Sequence, residues 1–151
     1  MIAAHVLTDA TVDDATVGIA LVGAAAGDIA SVTADAAYDT VAFYEAASAR
    51  HAQVVVPPMR TAKVSRHGPR SSVRDRTISD VETLGRREWQ KASGYPRQAR
   101  VENAFSRYKS IIGDGLRARS VSGRDVEASL ACRILNQMTA PGRPESHAIS
   151  R

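Results

Sequence analysis

Two short β-rich runs on either side of one amphipathic helix constrain this chain more than any other feature. Ile29-Ala-Ser-Val-Thr-Ala34 alternates and ends at Asp35, and Gln53-Val-Val-Val56 is a buried-type run stopped by Pro57-Pro58. Between them, Asp39 or Thr40 can cap a helix to about Arg50, with Val41, Tyr44 and Ala47 facing inward. Strand, helix and strand in that order form a βαβ unit with parallel strands. The sequence therefore predicts an α/β fold with parallel strands near 29–35 and 52–56 and flanking helices. With 151 residues, 44% of them apolar, the chain can bury a real core in one domain.

The remaining elements are weaker. Ala3–Thr8 reads as a further strand, and Thr11 or Asp13 opens a helix to about Ala26 that Gly27 ends. Residues 57–75 read as a long basic loop with Arg60, Lys63, Arg66, Arg70 and Arg74. A helix is expected from about Arg76 to Lys91, then a break at Gly94-Tyr95-Pro96 and a second helix to about Ile112. The last helix starts at Ser122, with Asp125 giving an imperfect capping box. Its stripe of Val126, Leu130 and Ile134, with Ala131 and Leu135 alongside, is expected to pack on the sheet. One domain over 1–140 and a flexible Pro/Gly-rich tail over 141–151 complete the plan.

No apolar run is long enough to span a membrane, and the first residues lack the basic start of a secretory signal. A single cysteine, Cys132, excludes an internal disulfide and a Cys-type zinc site, so the expected setting is a reducing cytoplasm. Charge is divided unevenly. Residues 1–50 hold seven acids against Arg50 alone, whereas 51–151 hold 19 bases against 9 acids. The basic part suggests a surface for nucleic acid, or more plainly a solvated Arg-rich face.

The most pointed chemistry lies in Tyr95-Pro-Arg-Gln-Ala-Arg-Val-Glu102-Asn-Ala-Phe-Ser-Arg-Tyr-Lys109. Tyr95, Glu102 and Lys109 are spaced by seven, close to two helical turns, so Glu102 and Lys109 share a face. A lone acid among Arg100, Arg107 and Lys109 suits a metal-binding carboxylate whose substrate is a polyanion. Asp35 stands at the carboxyl end of a predicted parallel strand, where open α/β sheets bind their ligands. Two carboxylates can hold one Mg²⁺ weakly, and a two-metal site needs a third. Both acids also suit plainer roles, Asp35 as a turn or cap residue and Glu102 as a surface acid beside arginines.

Val32-Thr-Ala-Asp35-Ala-Ala-Tyr38-Asp39-Thr resembles the second-aspartate motif of bacterial DDE transposases of the insertion sequence 5 family. The segment from Tyr95 resembles that family's glutamate signature, with Tyr95, Glu102 and Lys109 at matching places and Gln98 where the family has arginine. Gly85-Arg-Arg-Glu-Trp89, Ser93-Gly-Tyr95 and Leu135-Asn-Gln-Met-Thr139 are similar to it as well. The resemblance implies a truncated RNase H-like domain that binds two Mg²⁺ (or Mn²⁺) through Asp, Asp and Glu, for DNA cleavage and strand transfer. Asp35 would be the second acid and Glu102 the third. Tyr95, Arg97, Gln98, Arg100 and Lys109 would lie along DNA at the transposon end.

The family's first aspartate and its N-terminal hairpin strands precede the region that Met1–Thr8 resembles. The expectation is therefore the C-terminal part of a transposase, active only when the first aspartate is supplied. Its partners would be DNA, an upstream transposase product or a second copy, and no membrane. A non-catalytic remnant that binds DNA or interferes with the intact enzyme is the alternative, and a plain interaction fragment is a third. Cys132 and Trp89 read as packing residues, and His5, His51, His67 and His147 share no ligand-like spacing.

Overall fold

The computed structural model describes residues 1–8, 11–65 and 68–139, without the side chains of 99–101. The chain divides into two compact units: Thr8–Asn103, and Met1–Leu7 together with Ala104–Arg151, the latter described as far as Thr139. Among the described residues the fold is mixed α/β and mostly helical, with a small parallel sheet of two strands in the larger unit.

The larger unit opens with helix α1 (Asp14–Ala24), whose first turn is capped by the Asp13 carboxylate accepting from Thr16 N at 3.0 Å. Strand β1 (Ser31–Thr33), helix α2 (Val41–Ala49) and strand β2 (Gln53–Val55) follow. β1 and β2 pair in parallel, with Ser31, Val32 and Thr33 opposite Gln53, Val54 and Val55. The parallel pair predicted from the two β-rich runs is present, shorter at both ends than its sequence pattern.

Phe43 and Tyr44 of α2 are buried with Val22, Ala34 and Val56 to form the core of this unit. The inward face of α2 holds Phe43 in addition to the expected Tyr44 and Ala47, while Val41 is only half-buried. The Tyr44 hydroxyl donates to Val56 O at 3.0 Å, which satisfies a group that would otherwise be costly to bury. Arg50 closes the far end of α1. Its Nη1 donates to Val22 O and Gly23 O, and its Nη2 to Ala25 O and Gly27 O, serving carbonyls that a helix end leaves unpaired.

Two expectations fail in the second half of this unit. The basic stretch after Pro58 is shorter than 57–75, because a 3-10 turn (Gly68–Ser71) leads into helix α3 (Ser72–Leu84). The helix expected over 76–91 is two helices, since Gly85 adopts φ 79° and ψ 146° between α3 and α4 (Arg86–Ser93). That conformation is open to glycine and costly for other residues, so it breaks a segment whose other residues favour helix. The break at Gly94 is as expected, followed by a 3-10 turn (Tyr95–Gln98) and helix α5 (Ala99–Ile111).

The segment Ala3–Thr8, whose residues up to Leu7 lie in the smaller unit, is not a strand. A strand needs a ladder partner, and here Ile2 pairs with a side chain: Ile2 N donates to Asn136 Oδ1 at 2.6 Å and Ile2 O accepts from Asn136 Nδ2 at 2.8 Å. His5 Nε2 lies 3.2 Å from Ser129 Oγ and 3.8 Å from Asp125 Oδ1, so the segment runs antiparallel to helix α6 (Val121–Thr139). The buried face of α6 is Ala128, Ala131 and Leu135. The expected stripe is displaced, with Val126 66% and Leu130 56% exposed. The tail over 141–151 lies outside the described residues.

Candidate metal and nucleic-acid site

Asp35 stands two residues past the end of β1, after Ala34, whose N still donates to Val55 O at 3.3 Å. Its carboxylate caps the 3-10 turn Ala36–Tyr38, Oδ1 accepting from Ala37 N at 2.8 Å. Oδ2 takes no hydrogen bond among the described residues, and the residue is exposed. The turn-cap role foreseen for Asp35 is thus occupied by one oxygen, and the other is left open.

The rest of that turn is held from three directions. The Tyr38 ring packs on Phe43, with centroids 5.1 Å apart at 58°, and lies over Gly18 of α1, where a Cβ would come within 2.5 Å of Cε1. Asp39, at the end of the turn, is fully buried at its side chain, and Arg74 beside it is 12% exposed. Arg74 Nε donates to Asp39 Oδ1 at 2.7 Å and Nη2 to Oδ2 at 2.9 Å, the bidentate fork that guanidinium and carboxylate geometry favours. Met59 N adds a third bond to Oδ2 at 2.9 Å.

The turn Tyr95–Gln98 packs against β1. Burial raises the Tyr95 phenol above its ordinary value, and the negative charges of Asp35 and Glu102 raise it further, against Arg86. Both candidate carboxylates therefore act on one hydroxyl. The Tyr95 ring lies 6.4 Å from that of Trp89, which is buried and packs as expected. Arg86 donates to Pro58 O, joining the start of α4 to the chain beyond β2.

Glu102 is exposed in the first turn of α5, where a carboxylate is favoured by the helix dipole. No ion pair or hydrogen bond engages it among the described residues. Arg97 is exposed, and Gln98 is half-buried with Oε1 shielded from solvent and without a hydrogen-bond partner among the described residues. The Arg100 side chain lies outside the described residues. Lys109 belongs to the other unit, exposed in the last turn of α5. Thus Asp35, Tyr95 and Glu102 are linked electrostatically, and Arg97 and Gln98 sit beside Tyr95 in its turn.

Of the loop bases, Arg70 forms a bidentate pair with Glu45 and Arg74 is consumed by Asp39. The Arg70 guanidinium holds the Glu45 carboxyl below its usual range. Arg60 and Lys63 remain exposed, and Arg66 lies outside the described residues. Sequence reasoning placed Asp39 only as a helix cap and Arg74 only as a loop base. A contact between residues 35 positions apart leaves no local pattern that could have joined them.

The donor set suits a hard cation in part. Mg²⁺ usually takes one or two protein carboxylates and completes its shell with water and phosphate oxygens, and two exposed carboxylates can serve it so. No group of three His, Cys, Asp or Glu able to hold a metal occurs among the described residues. No solved structure matches the chain. The model of one family, the transposase DDE domain, does match, over residues 1–137. With that match covering nearly all of its 151 residues, the chain belongs to the transposase DDE domain family.

Proposed function

We propose that this chain takes part in DNA transposition, with Asp35 and Glu102 as carboxylate ligands of Mg²⁺ or Mn²⁺ in a partial RNase H-like site. The observation that supports this reading is the packing of the Tyr95–Gln98 turn against β1, which sets the Tyr95 phenol within electrostatic reach of both Asp35 and Glu102. Protonated at neutral pH as any ordinary phenol is, that hydroxyl can donate to a phosphate oxygen. Arg97, Gln98 and Arg100 would continue the contact along the DNA backbone, where backbone contacts position a strand without reading its sequence, and Lys109 of the smaller unit would bind backbone phosphate separately. A metal bound by such carboxylates supplies Lewis-acid polarisation of phosphate oxygens and a more acidic water. A two-ion site needs a further carboxylate, which we assign to an aspartate outside these 151 residues, supplied by an upstream transposase product. The proposed setting is the bacterial cytoplasm, on DNA. No helix among the described residues is long and apolar enough to cross a membrane.

Titrating Mn²⁺ into the isotope-labelled chain should broaden amide signals near Ala37 and Asn103 together, and Asp35→Asn should remove both effects. Loss of one effect without the other would dissolve the shared site. Affinity for DNA should fall with salt by a slope of about −0.9 per phosphate neutralised. One observation favours a second reading, DNA binding without a metal role: Asp35 Oδ1 already caps a turn. Steep salt dependence without any response to Mn²⁺ would select it.

A further inference from the structure

We infer that the buried Asp39–Arg74 pair is a positioning device that sets the Asp35 carboxylate in place and ties the Met59–Lys63 segment to the same turn. This inference rests on the metal-site reading of Asp35. Asp39 touches neither Asp35 nor Glu102 by any hydrogen bond; it acts through the backbone. Asp35 opens the one-turn helix Ala36–Tyr38 and Asp39 ends it, with Asp39 N donating to Ala36 O at 3.2 Å and Tyr38 N to Asp35 O at 3.2 Å. Fixing Asp39 therefore fixes the far end of the turn whose near end presents the open oxygen of Asp35.

Stability alone does not account for the pair. Burying two charges loses much hydration, and apolar residues of similar volume often serve a core as well or better. What an apolar pair cannot supply is direction. The Asp39 carboxylate accepts three bonds, two from the Arg74 fork and one from Met59 N. The Arg74 Nη1 also reaches Lys63 O at 3.5 Å. One buried carboxylate thus ties together the turn after β1, helix α3 and the segment bearing the exposed Arg60 and Lys63. Two cations that could meet a phosphate backbone are held in register with a carboxylate that could meet its metal.

The test is Mn²⁺ affinity, read from broadening of the Ala37 amide in the full chain, with the fold followed by circular dichroism and Trp89 fluorescence. Arg74→Lys keeps the charge but loses the fork. The double variant Asp39→Asn/Arg74→Met leaves no buried charge behind, so it keeps the protein folded if the single change does not. Both should weaken Mn²⁺ binding by roughly 10–100-fold, the range for residues that orient metal ligands. Arg70→Lys, at the exposed pair with Glu45, should leave it unchanged. Wild-type affinity in the folded variants would overturn the positioning role while Asp35→Asn still abolished binding. Asp35→Asn without effect would remove the metal-site reading, and this inference with it. Loss of the fold in both variants would make the pair purely structural and overturn the inference too.

Discussion

Helices α2 and α6 solve the same problem with opposite means. α2 has nine residues, is capped by Thr40 Oγ1 accepting from Phe43 N at 3.2 Å, and buries two aromatic rings within one turn. α6 has 19 residues and buries Ala128, Ala131 and Leu135, while larger side chains on it stay in water. Length and apolar content therefore do not rank the two helices. The short one is the centre of a core because its rings meet β1, β2 and α1, and buried apolar area is the main favourable term in folding. The long one shows that an apolar stripe at helical spacing locates a face only when another element covers it.

The sharpest way to break this comparison is Tyr44→Ala. Tyr44 is 1% exposed, and its truncation should cost about 3–5 kcal/mol in denaturant unfolding, through the cavity and the lost bond to Val56 O. A cost below that of a surface change would mean that the core lies elsewhere. The same ring gives a pH signature. Burial pushes the phenol up to about 12 from an ordinary 10.0. The unfolded tyrosine ionises first as pH rises, so the contribution is complete below pH 10 and lost between about 10 and 12. Tyr44→Phe should flatten stability in that alkaline window.

Gly18→Ala follows with a smaller effect. A methyl there would stand 2.5 Å from Tyr38 Cε1 and 3.0 Å from Phe43 Cε2, so the Tyr38 ring must move. Overpacking of this kind costs about 1–3 kcal/mol. It should also shift the Ala37 amide, because Tyr38 lies in the turn that Asp35 caps. A stable variant with an unmoved Ala37 signal would show that the turn does not depend on the α1 contact.

What was legible in the sequence follows the same division. The parallel pair β1 and β2, the Asp13 and Thr40 caps and the end of α4 at Gly94 are written in local patterns that need no knowledge of tertiary contacts. Asp35 was placed at a strand end by its neighbours alone, and its link to Tyr95 followed only from the packing of the Tyr95 turn on β1. The heptad spacing joins Glu102 and Lys109 within α5, and Tyr95 lies in the turn before it, after the expected break. Gly85 was hidden because its neighbours favour helix, and the strand at Ala3–Thr8 failed because β-propensity is expressed only beside a partner strand. The Asp39–Arg74 pair was invisible because neither residue is unusual in its own stretch of chain.

Leu130→Ser gives the smallest expected effect and tests the other half of the comparison. By sequence pattern Leu130 is the centre of the α6 stripe, and a buried leucine replaced by serine would cost several kcal/mol. With more than half of its surface in water, it should change stability by no more than about 0.5 kcal/mol. Ala131→Ser, one residue along on the buried face, should cost more despite removing no carbon, because it brings an added hydroxyl into a site that is 2% exposed. The order of the two variants is the decisive quantity. If Leu130→Ser proved the more damaging, something would cover that face in solution, and α6 would resemble α2 after all. If Ala131→Ser is worse, as expected, the two helices differ in kind: one is anchored by two aromatic rings and the other by two alanines and a leucine.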